Sequence, residues 1–124
     1  MIFLDTSLLI DCLTGPKHSG PSVRRALDRG ERILLPALTL FEWLRGPRIP
    51  TELAVQEDLF PSASAIPFGP QEAAIAARLY HTVRRPRGRE ADLEIAACAL
   101  RHDAELWTLN AADFKDIPGL RLIR

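Results

Sequence analysis

Short apolar runs alternate along the chain with longer segments in which apolar residues recur at helical spacing. Residues 2 to 5 read as a buried strand, and 7 to 13 as a helix that ends before the turn residues Gly15, Pro16 and Gly20. Pro21 suits the first position of a second helix closing at Gly30, with Arg24, Arg25 and Asp28 set around Val23 and Leu27. RILLP (32–36) is a second short strand, and ALTLFEWLRG (37–46) a helix stopped by Gly46 and Pro47. Residues 51 to 60 predict another helix, stopped by Pro61.

AIPF (65–68) reads as a third strand, placed at an edge by Pro67, which has no N–H to donate. The segment from Pro70 to Arg85 carries Ala73, Ala76, Ala77 and Tyr80 at helical spacing and ends at Pro86 and Gly88. A last helix is expected over 89–103, then two strands, ELWTL and LRLI, separated by NAADFKDIPG. Strands alternating with helices throughout predict a three-layer α/β fold with a mostly parallel sheet. There is no internal repeat, low-complexity tract or linker, so 1–124 is expected to be one domain.

Composition adds little: 47% hydrophobic and 26% charged residues are ordinary for a globular chain. Lys plus Arg and Asp plus Glu number 16 each, so attraction to a polyanion must come from local clusters, not net charge. Cys12 and Cys98 lie in separate apolar segments and form no CxxC pair, which favours reduced thiols over a disulfide or a zinc site. No basic leader precedes the first apolar run, Asp5 and Asp11 interrupt it, and nothing later has the apolar length of a membrane span. The expected location is the cytoplasm.

The candidate chemistry lies in acids that break the apolar pattern. Asp5 ends the first strand, and in parallel α/β sheets ligands bind at the carboxyl ends of strands, although Asp, Thr6 or Ser7 there could equally cap the next helix. Glu42 sits in LTLFEWLRG between Phe41 and Trp43, with Leu38 and Arg45 as helical neighbours. Asp92 shares a helical face with the small apolar stripe Ile95, Ala96 and Ala99, whereas Glu94 falls on a polar stripe with Glu90 and Arg101 and reads as solvated. Asp113 follows the strand-like LWTL, with Asn110 at its end; by itself it reads as a turn or cap residue.

Most of these acids fall where the fold directs them to one edge. Two carboxylates about 4 Å apart repel by roughly 4 kcal/mol at an effective dielectric near 20, so four converge only with protons or cations among them. An oxygen-only ligand set suits Mg²⁺ or Mn²⁺, whose usual work in acidic pockets is phosphoryl or phosphodiester chemistry.

FLDTSLLID, TLFEWLRG, READLEIAACAL and TLNAADF occur in the order and approximate spacing of PIN-domain nucleases, and nearly the whole chain resembles the VapC-type toxins of bacterial toxin–antitoxin pairs. The resemblance implies a PIN-like fold, with a parallel sheet flanked by helices, and a metal-dependent endoribonuclease acting on structured RNA. It also implies dimerisation and inhibition by a small VapB-type antitoxin. Position by position, Asp5, Glu42, Asp92 and Asp113 match the acidic quartet that is catalytic and metal-binding in that family. Thr108 and Asn110 match polar residues that support the last acid, Asp113, and Thr6 and Ser7 are further supporting candidates beside Asp5, Ser7 standing where many members have Asn or Ser.

The expected reaction is hydrolysis of an RNA phosphodiester assisted by Mg²⁺ or Mn²⁺, with Asp5 as central ligand and 5′-phosphate and 3′-hydroxyl ends as products. Arg85, Arg87 and Arg89, in RRPRGRE with Arg84, and Arg45 one helical turn past Glu42 are candidate phosphate contacts; the alternative is a solvated Arg-rich turn. His18, His81 and His102 stand apart from any nucleophile motif and are expected to have surface or structural roles, and Trp43 and Trp107, inside apolar segments, to be core or interface aromatics. Two rivals remain: a non-catalytic Mg²⁺-binding interaction module of the same fold, and phosphoryl transfer to Asp5. The latter is disfavoured by Ser7, which is not an acid, and by the scarcity of lysine, only Lys17 and Lys115 being present.

Overall fold

The structure is a computed structural model describing residues 1–15 and 19–123. Pro16, Lys17 and His18 lie outside the described residues, and so does the expectation for His18. Three parallel strands form the sheet: β1 (Ile2–Leu4), β2 (Ile33–Leu34) and β3 (Glu105–Trp107), in the order β2-β1-β3. Ile2 pairs with Ile33 on one side and Glu105 on the other, and Leu4 pairs with Trp107. Among the described residues six helices surround it: α1 (Thr6–Thr14), α2 (Ser19–Asp28), α3 (Ala37–Leu44), α4 (Pro50–Leu59), α5 (Pro70–Thr82) and α6 (Glu90–Arg101), with short 3₁₀ turns at Ser62–Ser64 and Ala111–Asp113.

The central strand β1 is apolar at every position because both faces are covered. Ile2 and Leu4 point into a core with Leu8, Leu9, Val23, Leu35 and Trp43; Phe3 points the opposite way, toward α5 and α6. Each of these three side chains is at most 4% exposed, and full burial of such a residue contributes about 1.5–3 kcal/mol. In α6, Ala96, Ala97 and Ala99 leave room for the helix to lie close on the sheet and against α5.

Three expectations need correction. Helix α2 begins at Ser19, not Pro21, because the Asp11 carboxylate accepts the Ser19 backbone N–H (2.9 Å) and its hydroxyl, capping the helix from α1. Pro21 is then third in the helix, within the first turn, where an N–H has no intrahelical partner to lose. AIPF makes no strand but a single parallel bridge, Ile66 to Pro36, since prolines at 36 and 67 remove the donors that would extend the ladder. LRLI likewise reduces to one bridge, Leu122 to Leu106. No helix among the described residues is long and apolar enough to cross a membrane.

Candidate active site

The carboxyl ends of β1 and β3 lie side by side because the strands are parallel and in register, so the residues that follow, Asp5 and Thr108, meet. Asp5 is 4% exposed. It occupies the N-cap position of α1, yet its carboxylate makes no capping bond to a backbone N–H of the helix. Oδ2 instead accepts hydroxyls from Thr108 (2.7 Å) and Ser7 (2.9 Å). Ser7 and Thr108 lie 3.2 Å apart, and each accepts a backbone N–H from the segment after β3, Ser7 from Leu109 (3.1 Å) and Thr108 from Asn110 (2.9 Å). A carboxylate buried in this way is held for use by something other than the helix end.

Helix α3 brings the second acid. Fully buried Thr39 donates to the Leu4 carbonyl (2.9 Å), fastening the helix to the end of β1. One turn later, on the same face, Glu42 accepts the Thr6 hydroxyl (2.5 Å) and lies 3.4 Å from Arg45, whose side chain is 60% exposed. Thr6 and Ser7 thus serve different acids from adjacent positions.

Asp92 lies in the first turn of α6, where the helix dipole favours a negative charge. Its carboxyl is nevertheless pushed up to about 6, first by burial and then by the charges of Asp5, Asp113 and Glu42. Asp92 is therefore within electrostatic reach of the other three acids, and burial with their repulsion outweighs the dipole and nearby Arg89. Asp113 is exposed, in the 3₁₀ turn after β3. Glu94, read from sequence as solvated, is half-buried, and its acidity is weakened by burial and then by Glu42 and Glu90. Its position two residues after Asp92 was the available signal; a helical stripe assigns a face without specifying where α3 packs.

Among the described residues no group of three or more Asp, Glu, His or Cys side chains forms a ready-made metal cage. The donors are all oxygens, one carboxylate is deeply buried, and another carries an elevated pKa that a cation would relieve. Such a set fits Mg²⁺ or Mn²⁺ held by one or two carboxylates with water completing the shell.

The remaining candidates sort by their surroundings. Arg85 and Arg87 are exposed, Arg85 with a left-handed backbone (φ 53°). Arg89 is engaged: it donates to both oxygens of Asp116 (2.7 and 3.0 Å) and to the carbonyls of Asp113 (2.9 Å) and Arg84 (3.1 Å). Trp43 is fully buried, with Arg48 stacked 4.0 Å over its ring, and half-buried Trp107 packs on the same core. His81 is exposed, and His102 lies between Phe3 and Glu72. Both thiols are free, and burial pushes Cys12 up to about 11 and Cys98 up to about 12, which keeps them protonated.

In accord with its parallel sheet covered by helices, the chain matches the PIN domain family model over residues 2–120 and belongs to the PIN-domain family. Within it the chain is similar to Ribonuclease VapC19 of Mycobacterium tuberculosis, with 32% identity over 123 residues and 98% of each chain covered. In fold it is similar to a chain of VapBC2 from Rickettsia felis bound to a promoter DNA fragment (TM-score 0.75, 19% identity, 99% of this chain and 98% of that one). VapBC-5 of Mycobacterium tuberculosis, a toxin–antitoxin system, gives a TM-score of 0.65 at 25% identity, covering 98% of this chain and 96% of that one.

Proposed function

We propose that this chain is a single-domain endoribonuclease, dependent on Mg²⁺ or Mn²⁺, that hydrolyses phosphodiester bonds of structured RNA as the cytoplasmic toxin of a toxin–antitoxin pair. The observation that carries the reading is the buried Asp5 carboxylate, held by Ser7 and Thr108 within electrostatic reach of Asp92, whose acidity is weakened by burial and then by three other carboxylates. Similarity to a ribonuclease over 98% of the chain supports the same reaction class.

Asp5 and Asp92 would hold the cation, with Glu42 or Asp113 completing the site directly or through water. When bound, the cation supplies activation of water and neutralises charge on the scissile phosphate. Thr108 and Ser7 fix the orientation of Asp5, and Thr6 does the same for Glu42. Asn110 contributes its backbone N–H to Thr108, which leaves that hydroxyl's proton for Asp5. Arg45, Arg85 and Arg87 are exposed and suited to phosphate, whereas Arg89 spends four of its five N–H donors on Asp116, Asp113 and Arg84.

A VapB-type antitoxin and a second copy of the chain are the proposed partners. Phe41, Leu44, Ile49 and Val55 are exposed apolar residues of α3, α4 and their connection, a surface that a partner would cover. The test is to express the chain and its Asp5→Ala variant and sequence the 5′ ends of cellular RNA. New 5′-phosphate ends with the wild type alone are expected; 2′,3′-cyclic phosphate products would overturn the mechanism. An Asp92→Asn protein that folds, binds RNA and fails to cut separates the nuclease from a non-catalytic Mg²⁺-binding module.

A further inference from the structure

We infer that Arg89 is a positioning residue, whose guanidinium ties the turn carrying Asp113, and the basic loop before α6, to the head of the helix carrying Asp92. The inference rests on the nuclease reading above and gives Arg89 a task other than gripping RNA.

The four acids are anchored very differently. Asp5 is held by two hydroxyls and Glu42 by Thr6 and Arg45, while Asp92 is fixed by its place in a regular helix. Asp113 has none of these supports: among the described residues its carboxylate accepts no hydrogen bond, and it lies exposed on a three-residue turn. Buried Phe114 and Ile117 anchor the far side of that turn. Its near side is held by Arg89, through the Asp113 carbonyl and both carboxylate oxygens of Asp116.

The other end of the tether is equally defined. The Arg89 carbonyl accepts the Leu93 N–H as α6 begins, its own N–H donates to Pro86, and its side chain reaches the Arg84 carbonyl. One residue therefore couples three segments: α6 with Asp92, the 84–88 loop with Arg85 and Arg87, and the Asp113 turn. Four of its five N–H donors are spent on these bonds, and the Asp116 carboxylate neutralises its charge, both of which suit a brace better than a phosphate clamp. Asp116, which no sequence motif singles out, becomes its obligatory partner.

The test compares Arg89→Ala, Asp116→Ala and the double variant, with Arg89→Lys, which keeps the charge and loses the fork, as a milder change. Hydrogen exchange at the amides of Asp113, Phe114 and Ile117 should speed up by about tenfold in each single variant. Cleavage kcat should fall by about tenfold to a hundredfold, with the double variant no worse than Arg89→Ala. RNA affinity in chelator, and its salt slope, should stay unchanged. A weakened, flatter salt response in Arg89→Ala alone, or unchanged exchange and kcat in both single variants, overturns the tether while leaving the nuclease standing. Faster exchange in a protein whose wild type cuts no RNA upholds the tether and removes the nuclease reading.

Discussion

Thr108 donates its hydroxyl to Oδ2 of Asp5 at 2.7 Å, joining residues 103 positions apart at the ends of adjacent parallel strands. The bond exists because β1 and β3 are in register, Leu4 opposite Trp107, so the next residue of each strand emerges at the same edge. It also carries the Asn110 N–H, which makes one hydroxyl the junction between the acid and the segment leading to Asp113.

Replacing Thr108 with Val keeps the shape and removes the hydroxyl's hydrogen bonds to Asp5, the Asn110 N–H and Ser7. Asp5 is left buried with Ser7 as its remaining donor, and loss of a partner to a buried charge costs about 1–3 kcal/mol. Urea denaturation should show a lower midpoint with an unchanged slope, and Thr108→Ser should recover most of the loss. Cleavage should fall further than stability does, because the carboxylate that loses its orientation is the proposed central ligand.

Asp92 makes stability depend on pH in a defined direction. Its carboxyl is raised from 3.8 to about 6 in the folded protein, so the folded state takes up a proton that the unfolded chain does not between those values. The penalty is fully present above pH 6 and is relieved as pH falls through 6 toward 4. In chelator, Asp92→Asn should be more stable than wild type at pH 7.5, with the gap closing as pH falls to 5. Parallel melting curves for the two proteins across that range would refute the coupling.

The order of elements was legible because apolar runs and helical spacing survive in sequence, and Asp5, Asp92 and Asp113 could be directed to one edge once a parallel sheet was expected. What stayed illegible depends on packing. Whether Asp5 caps α1 turns on Thr108, a residue far along the chain, and only the sheet register settles it. Glu94 looked solvated because a helical stripe says nothing about a neighbouring helix that brings Glu42 beside it. Arg89 looked like one more basic residue in RRPRGRE, and its engagement with Asp116 follows from a turn whose path no local pattern encodes. The bridge between Pro36 and Ile66 fell short of a strand for a reason visible at Pro36 and Pro67, but the ladder it interrupts was visible only in the fold.

Divalent cations should stabilise the protein, since a ligand that binds only the folded state adds about 2.7 kcal/mol at a hundred times its Kd. Millimolar Mn²⁺ or Mg²⁺ is expected to raise the melting temperature at pH 7.5, reversibly with EDTA, and to have no such effect on Asp5→Asn. The gain should shrink as pH drops below 6, where a proton competes with the cation for Asp92. Calorimetry that detects no Mn²⁺ uptake at pH 7.5 would remove the metal from the mechanism.

Arg85 and Arg87 are exposed basic residues of the loop, whereas Arg89 is engaged with Asp116. If both meet phosphates, the double variant Arg85→Ala/Arg87→Ala should reduce the slope of log affinity against log salt by about 1.4–1.8, at roughly 0.7–0.9 for each phosphate no longer neutralised. Mn²⁺ uptake should be unaffected, because neither side chain is part of the acidic set. The left-handed backbone at Arg85 gives a second handle: Arg85→Gly relieves the φ of 53° while deleting the charge, so its stability should match or exceed that of Arg85→Ala while its RNA affinity falls equally. A salt slope that does not change in the double variant assigns the loop to solvent and leaves the RNA to be gripped elsewhere on the rim.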